Sequence, residues 1–395
     1  MNLTFCAYIC QVADWIIFIY ASLLVFYLLF FSLAAYRKKG HRKYPESGNL
    51  HRFVIFFPAY KEDAVIENAV SNFFKQNYPK SLYDVVVISD QMLEETLDNL
   101  KAYPIIIERV QLKKSTKAKA LRFALSQLNN TYDIAVILDA DNLVEKDFLK
   151  KINNAYTSGQ LAIQTHRTAK APQTNIAILD AASEEINNTI FRLGHVRAGL
   201  SSALIGSGMA FDFNLFREIM IVIDEEHVGE DKQMELTLLR KRIFIDYLED
   251  VYTYDEKINK PSKFFNQRRR WLSTQISNLS LSIKDFPQAL KNKNWDYCDK
   301  LLQWTMPSRV VLTGIVSLFA IGISCWNLSA GIKWICLTGI LLGTLIQSIP
   351  KYLMNYKLSK AVFMIPLLFA MMIINHFRLA GADKKFIHTS HGDKK

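Results

Sequence analysis

Uncharged hydrophobic segments lie near both ends of the chain, and shorter hydrophobic runs recur at intervals between them. Residues 15–36 and 310–332 contain no charged side chain, and each segment is long enough to cross the hydrocarbon core of a bilayer. Residues 334–350 and 361–377 form two more uncharged segments, which are close to the lower limit of that length. The pattern predicts an integral membrane protein with one N-terminal transmembrane helix and up to three C-terminal ones.

The central region alternates between continuous hydrophobic runs and longer segments with helical spacing. Val and Ile runs separated by helices are typical of a mostly parallel sheet that is covered on both faces. Pro58 should end the first strand. The sequence has no Gly-x-Gly-x-x-Gly and no Gly-x4-Gly-Lys, which argues against dinucleotide-binding and P-loop folds. We predict strands at residues 52–57, 84–88, 104–107 and 134–138, and helices at 62–76, 117–128, 175–200 and 231–242.

Residues 281–307 mix Leu, Ile, Phe and Trp with Lys, Asp and Asn. We predict amphipathic helices that lie on the membrane surface, and the alternative is helices whose apolar faces pack against the protein core. The chain then divides into an N-terminal transmembrane anchor with a basic linker (1–44), a cytoplasmic α/β domain (45–275), amphipathic interfacial helices (276–308), C-terminal transmembrane helices (309–380) and a basic tail (381–395).

The net charge of +11 is concentrated beside the hydrophobic segments, at residues 37–39, 41–43 and 351–360. Such clusters are typical of cytoplasmic loops and of anionic membrane surfaces, and they argue against a nucleic-acid partner. Asp14 precedes the first segment and no small-residue cleavage site follows it, so we expect a retained anchor and not a cleaved signal peptide. The five cysteines have no zinc or disulfide spacing, as expected for a reduced cytoplasmic domain.

The predicted orientation of the C-terminal region conflicts with the positive charge of its last residues. If the central domain is cytoplasmic and all three C-terminal segments cross, the basic tail lies on the far side of the membrane, against the positive-inside rule. One of the two shorter segments would then be re-entrant or interfacial. The sequence leaves both possibilities open.

Four residues, three of them acidic, end predicted strands or begin the turns after them at one edge of the sheet. Asp139 and Asp141 come directly after the strand at 134–138, Asp90 follows the strand at 84–88, and Tyr60 follows the strand at 52–57. Ligands of α/β folds bind at the carboxyl ends of the strands, and two carboxylates there suit a hard divalent cation that also holds a diphosphate. The alternatives are a chance Asp-x-Asp and a turn or helix-cap role for Asp90.

Two further strings combine charge with a predicted helix. Gly229-Glu230-Asp231 is either an acidic helix start or the position of a general base that deprotonates an acceptor hydroxyl. Gln267-Arg268-Arg269-Arg270-Trp271 is either a basic, lipid-facing helix with an interfacial Trp or a diphosphate clamp beside a flat ring on which a sugar docks.

The motifs, in this order, resemble those of the membrane-integrated family 2 glycosyltransferases, the group that includes cellulose, chitin, hyaluronan and poly-N-acetylglucosamine synthases. The resemblance covers residues 52–271. The matching segments are Phe57-Pro58-Ala59-Tyr60-Lys61-Glu62, Ser89-Asp90, Lys117-Ala118-Lys119-Ala120-Leu121 (with Thr116 where glycine is usual), Asp139-Ala140-Asp141, Gln164-Thr165, Gly206-Ser207-Gly208-Met209, Gly229-Glu230-Asp231 and Gln267 to Trp271.

The resemblance implies a GT-A fold, which is a Rossmann-like mixed and mostly parallel sheet, and it implies roles for individual residues. The nucleotide sugar would be bound by Tyr60, Glu62, Asp90, Lys117, Asp139 and Arg270, and Mg2+ or Mn2+ by Asp141 with Asp139. The acceptor would be contacted by Gln267, Trp271 and Gly208. The catalytic residues would be Asp231, as the base, and Glu230.

The implied reaction is an inverting, metal-dependent hexosyl transfer from a nucleotide sugar, with a UDP-sugar expected. The Gln-x-x-Arg-Trp motif favours a growing β-linked glycan of the envelope, capsule or extracellular matrix as acceptor. The small number of membrane segments favours the alternative, transfer of a single sugar to a lipid-linked or membrane acceptor. A third hypothesis is that the chain only binds nucleotides and serves as a scaffold protein of a synthase complex, and the intact motifs argue against it.

The resemblance also implies a location and partners. We expect an integral protein of a bacterial inner membrane with its catalytic domain in the cytoplasm. The expected partners are the nucleotide-sugar donor, a glycan or lipid-linked acceptor, the lipid bilayer, and proteins of secretion or polysaccharide assembly. The donor sugar, the linkage and the oligomeric state are left open by the sequence.

Overall fold

The computed structural model describes residues 3–37, 44–112, 114–128, 132–226, 229–259 and 261–378, with side chains from residue 8 onward. The predicted basic tail and most of the basic linker lie outside these residues. The strands are β1 (Phe53–Tyr60), β2 (Tyr83–Asp90), β3 (Ile106–Val110), β4 (Ile134–Ile137), β5 (Leu143–Val144), β6 (Ala162–Ala169), β7 (Met209–Asp212) and β8 (Ile245–Asp255).

The eight strands form one sheet in the order β3-β2-β1-β4-β7-β6-β8-β5. The pairs β1–β2, β1–β4, β2–β3 and β6–β8 are parallel. β7 runs antiparallel to β4 and β6, and β5 runs antiparallel to β8. The sheet is therefore mixed and mostly parallel, as predicted.

The helices are α1 (Leu3–Ala34), α2 (Ile66–Phe73), α3 (Glu94–Leu100), α4 (Lys117–Gln127), α5 (Phe148–Thr157), α6 (Asn175–Asn187), α7 (His195–Ala198), α8 (Phe213–Val222), α9 (Glu230–Arg240), α10 (Pro261–Ser282), α11 (Phe286–Lys291), α12 (Trp295–Thr305), α13 (Arg309–Trp326), α14 (Leu328–Gln347), α15 (Tyr356–Ala361) and α16 (Ile365–Phe377). A π-helical stretch, Asn188–Gly194, joins α6 to α7 within the helix predicted at 175–200.

Two strand predictions differ from the structure. β1 continues through Pro58, because β4 pairs with β1 only as far as Phe56 and the missing N–H of Pro58 leaves no ladder partner unsatisfied on that side. β3 begins at Ile106 and not at residue 104, and it includes the charged residues Glu108 and Arg109. Charged side chains are tolerated there because β3 is an edge strand.

Helices cover both faces of the sheet. One apolar core combines strand residues with α4, α8, α9 and α12, and the other combines them with α2, α3 and α5. α12 contributes Tyr297, Leu301 and Trp304 to the first core, while Trp295 and Leu302 of the same helix are exposed. One face of α12 therefore packs against the protein core, as the alternative prediction states, and the apolar side chains of Trp295 and Leu302 remain exposed on the rest of the helix.

Four helical segments in the described chain are long and apolar enough to cross a membrane: Tyr8–Ala34, Arg309–Trp326, Leu328–Gln347 and Tyr356–Phe377. α1 and α13 both pack against α14, and the three helices share a separate apolar core that includes Val25, Leu28, Val316, Trp334 and Leu341. The last segment, α15 with α16, packs on α6 and α10 of the central domain and also on α13.

Candidate functional site

The carboxyl ends of β1, β2 and β4 meet at one edge of the sheet. Tyr60 and Asp90 are paired in register at the ends of β1 and β2, and Asp139 lies two residues beyond β4. The next residues, Lys61 and Gln91, have φ angles of 54° and 56°. The backbone thus leaves both β1 and β2 through a residue in the left-handed conformation, which occurs often where a loop forms a binding site.

A cavity of about 1000 Å3 lies at this edge. The predicted site residues that line it are Tyr60, Glu62, Asp90, Lys117, Asp139, Asp141, Glu230, Asp231, Gln267, Arg270 and Trp271. Segments that are far apart in the sequence therefore meet around one space.

Gly208 is the one predicted site residue that does not line the cavity. It lies between two buried threonines, and a Cβ on Gly208 would be 2.4 Å from Oγ1 of Thr165 and 2.8 Å from Oγ1 of Thr253. Thr165 donates from Oγ1 to the carbonyl of Gly208 at 2.8 Å. The structure therefore gives Gly208 a packing position, whereas Gly206, two residues earlier, lines the cavity.

Lys117 connects the end of β4 to the turn at Gly206. Its ammonium donates to Oδ1 of Asp139 at 2.5 Å and to the carbonyl of Gly206 at 2.6 Å. Burial opposes the charged form, but the carboxylates of Asp139 and Glu230 raise the pKa of Lys117 above its usual value. The cavity therefore contains a fixed positive charge, which suits a phosphate ligand.

Asp139 and Asp141 supply two carboxylates to the cavity. Oδ1 of Asp141 accepts from Nδ2 of Asn142 at 3.1 Å, and Oδ2 accepts from the backbone N–H of Glu256 at 2.9 Å. In the part of the chain that the structure describes, no group of three His, Cys, Asp or Glu side chains forms a metal cage. Mg2+ and Mn2+ take one or two carboxylates together with substrate phosphates and water, so the pair fits a cation that is shared with a diphosphate.

Gly229, Glu230 and Asp231 form the start of α9. Gly229 has a φ of 102° and precedes the two acids at the positive end of the helix dipole. Burial raises the pKa of Glu230, Lys117 opposes the rise, and Asp231 adds to it. Asp231 lies beside Gly206, where an added methyl group would be 3.7 Å from Oδ2 of the acid. The predicted base and the Lys117 site are therefore neighbours.

Arg270 brings a guanidinium group from α10 into the same cavity. Burial lowers the pKa of Arg270, and the carboxylates of Glu230, Asp231 and Asp139 counteract that shift. The interactions show that Arg270 is close to both acidic motifs. Gln267, Arg270 and Trp271 are spaced three and four residues apart, so they share one face of α10.

Trp271 has one face of its ring covered by a cation. The guanidinium of Arg268 lies 4.4 Å from the ring centroid of Trp271 and 4.8 Å from that of Phe264. Arg268 is held there by an ion pair with Asp180 of α6. Only the other face of the Trp271 ring remains for the sugar contact that the sequence suggested.

A buried ionic network, which we did not predict, adjoins these residues. Arg167 lies 3.4 Å from Glu184 and 3.5 Å from Asp255, Arg192 lies 3.0 Å from Glu184, and Lys257 lies 3.0 Å from Asp255. Burial alone would raise the pKa of Glu184, but Arg167 and Arg192 lower it well below its usual range. Glu184 therefore remains ionised and holds several cations in place.

The sequence contains one signal for this network. Asp180, Ser183, Glu184 and Asn187 recur at helical spacing and place a polar face on α6, which is otherwise largely apolar. Their partners include Arg268 and Arg309, from α10 and α13. The signal marks the helix face, but it does not identify the partners.

The cavity extends from the acids into an apolar region between α13, α14 and the last helical segment. Leu342, Ile346, Leu358, Leu368 and Met372 line that region. It has the composition of a site for a hydrocarbon chain, because it is formed by side chains of helices that are apolar enough to enter a membrane.

Comparisons with known proteins agree with this geometry. Residues 51–274 match the model of a family described as "Glycosyltransferase like family 2". A mannosyltransferase from Pyrobaculum calidifontis, solved in complex with GDP-Man and Mn2+, has a similar structure, with a TM-score of 0.53 and 16% identity over 85% of this chain and 96% of that chain. This similarity confirms the predicted GT-A fold.

Two curated relatives are similar in sequence. One is a dolichyl N-acetyl-α-D-glucosaminyl phosphate 3-β-D-2,3-diacetamido-2,3-dideoxy-β-D-glucuronosyltransferase of Methanococcus voltae, 24% identical over 47% of this chain. The other is a β-monoglucosyldiacylglycerol synthase of Synechocystis sp., 23% identical over 71% of this chain. The matched regions span 61% and 62% of the lengths of these relatives.

Proposed function

We propose, from the premise that the chain belongs to glycosyltransferase family 2, that it transfers a single sugar from a nucleotide sugar to an acceptor anchored in the bilayer by a lipid. The observation that supports this most strongly is the cavity, which joins the acidic motifs to an apolar region between membrane-type helices. A hydrocarbon chain fits that region better than a polar glycan does. The names of both curated relatives contain a lipid.

In the proposed mechanism, Asp231 accepts the proton of an acceptor hydroxyl as its oxygen bonds to the anomeric carbon. The bond from that carbon to the nucleotide diphosphate breaks on the opposite face, so the configuration inverts. Lys117 and Arg270 offset the charge that develops on the leaving diphosphate. A divalent cation, held by Asp141 with Asp139, would supply further positive charge there when bound.

The donor half of the cavity suits a nucleotide base next to the sheet edge. Oδ1 of Asp90 is buried and has no hydrogen-bond partner among the described residues. A ring N–H of uracil would satisfy that oxygen, whereas an unsatisfied buried carboxylate oxygen is costly. Tyr60 and Glu62 also line the cavity, and the donor we propose is a UDP-sugar.

The proposed setting is an inner membrane with the GT-A domain on the cytoplasmic side, where nucleotide sugars are made. The four apolar helical segments support membrane attachment. The basic residues that follow α1 and α14 support the orientation. Trp271 and Gln267 would then contact the acceptor sugar at the boundary between the two parts of the cavity.

The test is to incubate the purified full chain with radiolabelled UDP-sugars, Mn2+ and a membrane lipid extract. We expect label in a lipid-extractable product that has gained one sugar, and we expect Asp231→Asn to abolish transfer while UDP binding survives. A long, water-soluble polymer as product would refute single transfer to a lipid. Turnover of any nucleotide sugar by the wild-type chain would exclude the scaffold reading.

A further inference from the structure

Arg309, the first residue of α13, has a guanidinium group that faces the cavity. It donates from Nη1 to Oδ1 of Asn187, and from Nη2 to the carbonyl and Oγ of Ser183 at 3.0 and 2.9 Å. All these acceptors are neutral, and no described carboxylate forms an ion pair with Arg309. A buried cation that forms no ion pair is costly near a membrane-type helix, and it is a candidate site for an anionic ligand.

The charged neighbours of Arg309 are already engaged with one another. Arg268 and Arg192 are close enough to repel its guanidinium, and Glu184 attracts it. Glu184 is itself shared, because it forms ion pairs with both Arg167 and Arg192. The guanidinium of Arg309 is therefore still suited to an anionic ligand group.

The location of Arg268 and Arg309 indicates which ligand group this is. Both line the cavity, and so do the apolar residues Val310 and Leu368 next to them. The donor diphosphate already has Lys117 and Arg270 at the acidic motifs. The second cationic region therefore lies where the polar head of a lipid acceptor would be, with its hydrocarbon chain against the apolar helices.

We propose that Arg309 and Arg268 bind a phosphate group that links the acceptor head group to its lipid chain, so that the preferred acceptor is a lipid phosphate and not a neutral glycolipid. This inference rests on the proposed function, because it requires a lipid acceptor. Guanidinium groups bind phosphate oxygens through paired, charge-assisted hydrogen bonds, which a neutral glycerol or glycoside linkage does not offer.

The test compares the binding of a fluorescent polyprenyl phosphate with that of the polyprenol of equal chain length, using the full chain in neutral detergent. We expect the phosphate to bind the wild-type chain about tenfold to hundredfold more tightly than the alcohol. Arg309→Gln should remove most of this preference, and Arg309→Lys should retain part of it. Lys357→Gln is the matched control, because it removes an exposed cation from α15 outside the cavity and should leave the preference unchanged.

Unchanged UDP binding and thermal unfolding would show that Arg309→Gln is folded. If this variant does not fold, the preference for the phosphate over the alcohol is compared between Arg309→Lys and Lys357→Gln instead. The inference is overturned if the alcohol binds as tightly as the phosphate, or if the variants at Arg309 keep the full preference. It is also overturned if glycerol phosphate binds as tightly as polyprenyl phosphate, since the site would then serve a soluble phosphate. Wild-type transfer to a neutral lipid alone would refute the phosphate while leaving the lipid acceptor intact, and transfer only to a soluble glycan would refute both.

Discussion

Gly229→Ala tests whether the contact between the start of α9 and helix α10 sets the geometry of the site. A Cβ on Gly229 would be 2.1 Å from Cγ2 of Thr274, which is buried in α10. The hydroxyl of Thr274 donates to the carbonyl of Arg270 at 2.9 Å. Because Glu230 and Asp231 follow Gly229 directly, the added methyl group should push both acids away from the guanidinium of Arg270.

The expected magnitude has two parts. An alanine with the φ of 102° found at Gly229 is strained by about 1–2 kcal/mol, and overpacking against Thr274 adds about 1–3 kcal/mol. Gly159 has a φ of 94° and no atom within 4 Å of its Cβ position, so Gly159→Ala should show the first part alone. Thr274→Ser removes Cγ2 and keeps the hydroxyl, and the next nearest atoms of Thr274 are then 3.4 and 3.6 Å from the new methyl group.

The assays are thermal unfolding of the purified full chain and the initial rate of sugar transfer. Gly229→Ala should lower the free energy of unfolding by about 2–5 kcal/mol and the transfer rate by roughly 100-fold, the effect of a displacement of about 1 Å at a reacting group. The double variant Gly229→Ala with Thr274→Ser should be about as stable as Gly159→Ala and should recover part of the rate. Equal destabilisation by Gly229→Ala and Gly159→Ala, or no recovery with Thr274→Ser, would refute the steric argument.

Two further predictions concern the metal and the ionic network. In Asp141→Ala, the affinity for a UDP-sugar, measured by calorimetry, should be the same with and without Mn2+. The control Asp98→Ala changes an exposed carboxylate and should retain the Mn2+ dependence. A retained dependence in Asp141→Ala would contradict the metal assignment. Glu184→Gln should lower the free energy of unfolding by about 3–5 kcal/mol at neutral pH, because it leaves buried cations unpaired, whereas the surface control Glu218→Gln should cost under about 1 kcal/mol. The folded-state pKa of Glu184 is lowered, so its stabilising effect is present above the unfolded pKa of about 4.3 and is lost as the pH falls towards the folded pKa. The difference in unfolding free energy between the wild type and Glu184→Gln should therefore become smaller in acid. Equal melting temperatures of Glu184→Gln and Glu218→Gln at neutral pH would contradict the role of the network.

The acidic part of the site could be predicted because local sequence determines it. Asp90 and Asp139 follow buried strands, and parallel strands bring their carboxyl ends to one edge, so their proximity follows from strand order alone. The start of α9 was visible for a similar reason, since a glycine and two acids precede a helical pattern. In both cases a few adjacent residues determine the direction of the side chain.

The rest of the site depends on contacts between distant segments. Arg309 has no distinctive neighbours in the sequence, and its position becomes informative only when α13 packs against the polar face of α6. The roles of Gly206 and Gly208 were difficult to separate, because two glycines in one turn differ only in which of them packs against Thr165 and Thr253. Charge at a buried contact cannot be assigned until both partners are known.

The placement of α15 and α16 bears on the inconsistency between topology and charge. Leu358 packs on α6 near the start of this segment, and near its end Asn375 donates from Nδ2 to the carbonyl of Phe265 in α10 at 3.2 Å. Both ends of the segment therefore contact the central domain, whereas a helix that crosses the ~30 Å hydrocarbon core would carry one end away from it. The same segment also lines the apolar part of the cavity. We therefore expect the interfacial alternative for residues 361–377, because a topology with only three crossing segments would remove the conflict with the positive-inside rule.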